Sequence, residues 1–169
     1  MLQPLVRRTW AKRGQTPLLK AWDRHDRMTA ITALVYEPHR KRRKFRMYFQ
    51  LQRRNANHET FFWFLVMLRR ELKTPLIVIW DRLGAHRKAE SHFSKLEIPW
   101  ASFEYLPPYS PELNPVEHVW STTKYGRLAN WPAPCIDQLK KRLKKEFTKQ
   151  QTEQQLLESH FDWAELSLD

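Results

Sequence analysis

A chain of 169 residues with 30 Lys and Arg against 18 Asp and Glu carries a formal net charge of +12. That is one domain's worth of core and a charge that points to an extended polyanion as partner, since each phosphate neutralised releases counterions. The lone Cys135 excludes an internal disulfide and a zinc motif, no apolar run approaches the ~20 residues of a membrane helix, and the first ten residues lack a signal peptide's apolar segment; the expectation is a cytoplasmic, nucleoid-associated protein rather than a membrane one.

Residues 6–22 are polar and basic, punctuated by Gly14 and Pro17, and read as two extended pieces joined by a turn. Arg7, Arg8, Lys12 and Arg13 suit either a nucleic-acid backbone or plain solvation of a loop. Asp23 and Asp26 sit among cations as turn residues paired with Arg24 and Arg27. Residues 29–36, rich in Ile, Val, Thr and Tyr, read as a strand. Residues 45–51 alternate, with Phe45, Met47, Phe49 and Leu51 on one side and Arg46, Tyr48 and Gln50 on the other, which is the period of a half-buried strand. Between them the hairpin connection carries five consecutive basic residues, and Arg40, Lys41, Arg42 and Arg43 are candidate phosphate contacts.

Residues 57–73 form a helix capped by Asn57 and packed with eight consecutive apolar residues, Phe61 to Leu68. Such a run predicts burial on most sides, with the aromatic rings in the core rather than stacking on bases. The run LIVIW, residues 76–80, follows Thr74-Pro75 and reads as a central strand buried on both faces. Asp81 closes it. In open α/β sheets ligand chemistry collects at the carboxyl ends of such strands, while the local alternative is an Asp that begins a turn through its side-chain bond to backbone. The next segment is a loop that becomes a helix from about Arg87, with His86 in the loop suited to a catalytic or metal role or, the commoner outcome for a loop His, to pairing with a carboxylate or phosphate. Residues 100–106 supply another strand.

Residues 106–128, LPPYSPELNPVEHVWSTTKYGRL, organise the rest. Two proline-containing turns enforce an extended approach, then Asn114-Pro115 starts a helix with Asn as N-cap and Pro at its first position. Glu117 falls in the first turn, beside an apolar stripe of Val116, Val119, Trp120 and Thr123. Its local alternative is the reciprocal half of a capping box. Residues 82–116 separate the two acids, room for one helix, one strand and the Pro-rich entry, so a strand-end carboxylate and a helix-first-turn carboxylate can converge. Pro132 and Pro134 mark a break. Ile136, Leu139, Leu143 and Phe147 then space an amphipathic helix whose other face holds Lys140, Lys141, Arg142, Lys144, Lys145 and Lys149. A last helix covers residues 153–163, with no role assigned to it.

The motif LPPYSPELNPVEHVW, with WDRLGAHR upstream and the opening VRRTWAKRGQTP, resembles the catalytic core of bacterial insertion-sequence transposases related to the mariner type, the insertion sequence six-thirty family of the DDE superfamily. The likeness covers roughly residues 2–131; the long Pro-rich motif is specific, the short WD motif is not. It implies an α/β fold, a ribonuclease-H-like mixed sheet flanked by helices, over residues 1–131; residues 132–169, by their own pattern, are expected to be a basic helical extension packed on that core. It implies DNA strand cleavage and strand transfer in transposition, with Asp81 and Glu117 as catalytic acids that ligate two Mg2+ or Mn2+ ions. Two such ions about 4 Å apart activate the attacking hydroxyl and stabilise the leaving oxygen. Lys124, Lys140, Lys141 and Lys144 join residues 40–43 as expected DNA contacts, with transposon ends and target DNA as partners, alongside a second copy or an intact transposase. The family pattern has three acids, and the first, on a strand before the segment matched by residues 2–16, is expected to be missing together with that strand. Such a chain is expected to be inactive alone. The alternative is a non-enzymatic DNA-binding remnant of a transposase.

Overall fold

A computed structural model of the protein describes residues 6–18, 27–37 and 45–166. Strands β1, Thr29–Tyr36, and β2, Phe45–Gln52, pair antiparallel, with Tyr36 opposite Phe45 and Thr29 opposite Gln52. The alternation of β2 sorts its side chains as the pattern requires. Phe45 and Met47 are buried, and Phe49 and Leu51 lean into the same cluster, while Tyr48 joins Ile31 and Ala33 of β1 in a second cluster on the opposite face. The hairpin connection, with Arg40, Lys41, Arg42 and Arg43, lies outside the described residues, as do Asp23 and Asp26.

Helix α1, His58–Leu72, starts where Asn57 accepts the Thr60 N–H at 3.0 Å and donates its own N–H to the Thr60 hydroxyl at 3.2 Å. It ends at Lys73 in the left-handed region, φ 56°. Burial on most sides is not what its apolar run achieves. Phe62, Phe64, Leu65 and Leu68 are buried, but Trp63 is 65% exposed and Met67 stands at the surface. Successive residues turn through about 100°, and only the face of α1 that joins the cluster with Trp80, Ala89 and Phe93 is covered, so a run of eight must send some side chains outward.

Strands β3, Leu76–Trp80, and β4, Ala101–Tyr105, pair parallel and are joined by helix α2, Gly84–Lys95. Here a second expectation is corrected. Leu76, Val78 and Trp80 pack with Ala89 and Phe93 against α1 and α2, but Ile77 and Ile79 are 74% and 64% exposed. Their partners on β4, Ser102 and Glu104, are exposed as well. Among the described residues helices cover one face of this pair only, and β3 pairs with β4 alone and β1 with β2 alone. The mixed α/β architecture is as expected, arranged as two small sheets flanked by helices. α2 also begins at Gly84, about three residues earlier than predicted, because the turn after Asp81 closes at once: the His86 N–H reaches the Leu83 carbonyl at 2.9 Å.

Helix α3, Pro115–Ser121, has the expected cap, Asn114 accepting the Val116 N–H at 3.2 Å. It runs on into a π-helical segment, Thr122–Arg127, which sequence periodicity does not signal. Helices α4, Ile136–Thr152, and α5, Gln154–Trp163, close over α3 and β2. Val119, Phe147 and Leu157 are wholly buried there. Gln151 and Gln154 donate to the Met47 and Phe45 carbonyls at 2.8 and 3.0 Å, so side chains rather than another strand satisfy the open edge of β2. Two polar contacts cross this apolar layer. Gln150 donates to the Thr123 hydroxyl at 3.0 Å, and Nδ1 of His160 lies 2.9 Å from Nδ1 of His118, whose ring stacks on Trp163.

Phe147→Ala leaves a cavity at the centre of this layer and is expected to cost ~3–5 kcal/mol of stability, read as a lower urea midpoint with little change in slope. Burial, and then the nearby His118, push the His160 pKa down to about 4 from an ordinary 6.5. Between these values the unfolded chain binds the extra proton, so stability falls as pH drops from about 6.5 towards 4 and does not depend on this group at higher pH. Urea unfolding across that range is expected to show the decline, and His160→Gln to flatten it.

Candidate active site

Asp81 leaves the carboxyl end of β3 with its side chain 55% exposed. One oxygen, Oδ1, accepts the Leu83 N–H at 3.0 Å and lies 2.7 Å from Nδ1 of His86. A carboxylate only accepts, so the His86 proton sits on Nδ1. The turn-forming role weighed from sequence is therefore real, but it occupies one oxygen. His86 is itself held: its ring stacks on Trp80 with centroids 4.6 Å apart and an interplanar angle of 2°, and it meets the edge of Phe61. The pairing of His86 with a carboxylate is the one expected, made from the first turn of α2 instead of a loop.

Glu117 stands exposed in the first turn of α3. The capping-box alternative is not what the geometry shows. The Asn114 N–H, which a capping carboxylate would take, donates to the Pro111 carbonyl at 3.1 Å, and the Glu117 side chain has no hydrogen-bond or ion-pair partner among the described residues. The segment leading to it starts beside Asp81. The Leu106 N–H donates to the Trp80 carbonyl at 2.9 Å, and Arg82 Nε reaches the Leu106 carbonyl at 3.4 Å. From there Pro107 and Pro108, Tyr109 at φ 60° and a short 3-10 turn, Pro111–Leu113, lead into α3.

By its chemistry each of these carboxylates suits a hard divalent cation. Oδ2 of Asp81 and both oxygens of Glu117 are free of protein partners among the described residues, and anionic oxygens open to solvent are the ligands Mg2+ and Mn2+ prefer. Among the described residues no group of three or more His, Cys, Asp or Glu stands close enough together to hold a metal ion.

The cations divide by type. Lys124, Lys140, Lys141 and Lys144 are exposed and hold no acid among the described residues. Arg142, read from sequence as part of the same solvent-facing row, is half-buried: it forms an ion pair with Glu146 at 3.2 Å, donates to the Arg127 carbonyl and lies over the Trp131 ring. Lys149 lies 3.8 Å from Glu153. Arg127 bridges Glu146 and Glu153. A helical row three or four residues wide necessarily has flanks, and the flank nearest α5 meets acids. Arg7, weighed only as a surface cation, has a structural contact, its N–H donating to Asn130 and its guanidinium to the Tyr125 carbonyl at 2.6 Å. Sequence gave no sign of this contact, nor of the His118–His160 pair, because each joins residues far apart in the chain. No helix among the described residues is long and apolar enough to cross a membrane.

Against known proteins, no curated protein matches this chain. A solved structure, the crystal structure of the Mos1 strand transfer complex, contains a chain that aligns with 96% of this one at a TM-score of 0.54 and 18% identity. The present chain spans 50% of that one's length. The likeness establishes the fold, a ribonuclease-H-like mixture of small sheets and flanking helices. A family model described as DDE superfamily endonuclease matches residues 1–140, and the chain therefore belongs to that family.

Proposed function

We propose that this chain is the catalytic domain of a DNA transposase, with Asp81 and Glu117 as metal-holding acids for cleavage and transfer of a DNA strand. The observation that carries the reading is the two exposed carboxylates, one at a strand's carboxyl end and one in the first turn of a proline-started helix, each with oxygen atoms that no protein group occupies among the described residues. Family membership supports it. In this reading His86 fixes the orientation of Asp81 through Oδ1 and leaves Oδ2 for a ligand, the outer-partner arrangement common at metal sites. The Asn114 cap and Pro115 set where Glu117 projects. Divalent ions, when bound, lower the pKa of an attacking water or hydroxyl and offset charge on the leaving oxygen. Lys124, Lys140, Lys141 and Lys144 draw the phosphodiester backbone to the domain, and DNA is the partner proposed.

The exposed lysines also support a second reading, a DNA-binding chain that does not cut. Incubation with supercoiled plasmid and Mg2+ or Mn2+ separates the two. Metal-dependent nicking that drops in Asp81→Asn and in Glu117→Gln by more than the ~10–100-fold lost with an outer partner supports catalysis. Binding without nicking, unaffected by either substitution, supports the second reading.

The DNA contact has its own signature. Replacing Lys124, Lys140, Lys141 and Lys144 by Gln is expected to lower the slope of log affinity against log salt by about 0.9 for each lysine that meets a phosphate, equally on unrelated duplexes. An unchanged slope removes these residues from the interface.

A further inference from the structure

Helix α3 has seven residues, too few to hold a conformation by its own hydrogen bonds. Glu117 stands on it with no hydrogen-bond or ion-pair partner among the described residues, so the place of that carboxylate is decided by whatever grips the rest of the helix. Asn114 holds the first turn. Beyond it the helix and its π-helical continuation are gripped from α4 and α5, by burial of Val119 and by the two polar contacts described above, Thr123 with Gln150 and His118 with His160.

Those contacts are costly ones to choose. Gln150 and His160 are both fully buried, in a layer otherwise made of Leu143, Phe147, Leu157 and Phe161. Gln150 Oε1 and His160 Nε2 have no hydrogen-bond partner among the described residues, and apolar side chains of similar size would fill the same space without that loss. What an apolar replacement would not supply is direction: a hydrogen bond fixes rotation and register where packing tolerates sliding. The ring chemistry is also specified. At 2.9 Å between the two Nδ1 atoms, one must donate and the other accept. An orphaned buried N–H is rarer than an orphaned acceptor, so the unpartnered Nε2 of His160 is the bare nitrogen. His160 therefore donates from Nδ1, and His118 accepts while carrying its proton on Nε2.

We infer that His160, seconded by Gln150, is a positioning residue for Glu117, gripping α3 through His118 and Thr123 so that the carboxylate is presented in one orientation to a divalent cation. This rests on the reading of Glu117 as a metal ligand. It gives α5 a task. A site whose ligand sits on a short helix loses affinity when that helix turns, as sites do when a partner one shell out is lost.

The test uses the full chain and Mn2+ alone, followed by its electron paramagnetic resonance. Long-range imidazole spectra of the 15N-labelled protein are expected to show His160 as the Nδ1–H form, with scalar coupling between the two Nδ1 atoms; the Nε2–H form without coupling overturns the inference. His160→Leu is expected to weaken Mn2+ binding ~10–100-fold with the circular dichroism unchanged. His160→Gln, which restores an N–H donor, is expected to recover most of it. If His160→Leu does not fold, Gln150→Met is read in its place with the same expectation. Folded variants that bind Mn2+ as the parent does, while Glu117→Gln does not, overturn the positioning role alone. Parent binding that ignores Glu117→Gln overturns the ligand reading and this inference with it.

Discussion

Val119, Phe147 and Leu157 are wholly buried where the β1–β2 strand pair, α3, α4 and α5 meet, and the candidate site depends on that contact. A seven-residue helix started by a proline has little stability of its own, so α3 takes its position from the layer it is pressed into. The apolar part of the layer supplies most of the free energy, at about 25 cal/mol for each Å2 of apolar surface removed from water. The polar part, Gln150 with Thr123 and His160 with His118, supplies little net stability and a good deal of specificity. Residues 132–166 are in this sense continuous with the core that carries Glu117.

The other half of the site is built differently. Asp81 needs no distant helix, because β3 ends at Trp80 and the turn that follows is closed by its own side chain. Trp80 anchors this end: its ring is buried against Phe103 on one side and stacked with His86 on the other, and His86 returns to Asp81. One rigid acid on a strand and one acid on a borrowed helix make an unequal pair. Geometry at the first is local, and at the second it is tertiary.

Charge is distributed in a way that bears on both. In a chain of net charge +12, Glu37, Asp137, Glu146 and Glu153 all hold arginines, whereas Asp81 and Glu117 hold neither Lys nor Arg among the described residues. The arginines of this region are drawn into bonds with carboxylates and carbonyls, as their planar fork favours. Lys140, Lys141 and Lys144 of α4 are left to solvent, where an ammonium is well hydrated and free to meet a phosphate. The same helix thus ties the C-terminal layer together on one flank and faces outward with a cationic row.

How much of this was legible before folding follows from the range of each interaction. The alternation of β2, the Asn57 and Asn114 caps, the proline at the first position of α3 and the stripe of α4 are read directly, because strand and helix repeats and cap bonds involve residues a few positions apart. The DDE resemblance likewise lay in contiguous motifs around Asp81 and Glu117. The exposure of Ile77, Ile79 and Trp63, the capture of Arg142 by Glu146 and Trp131 and the pairing of His118 with His160 were decided only in three dimensions. Apolar composition says that a side chain gains by burial, but which face is covered depends on elements brought from elsewhere in the chain. A hydrogen bond between rings 42 positions apart leaves no periodic trace in a sequence, since its partners share no local geometry until the core has closed.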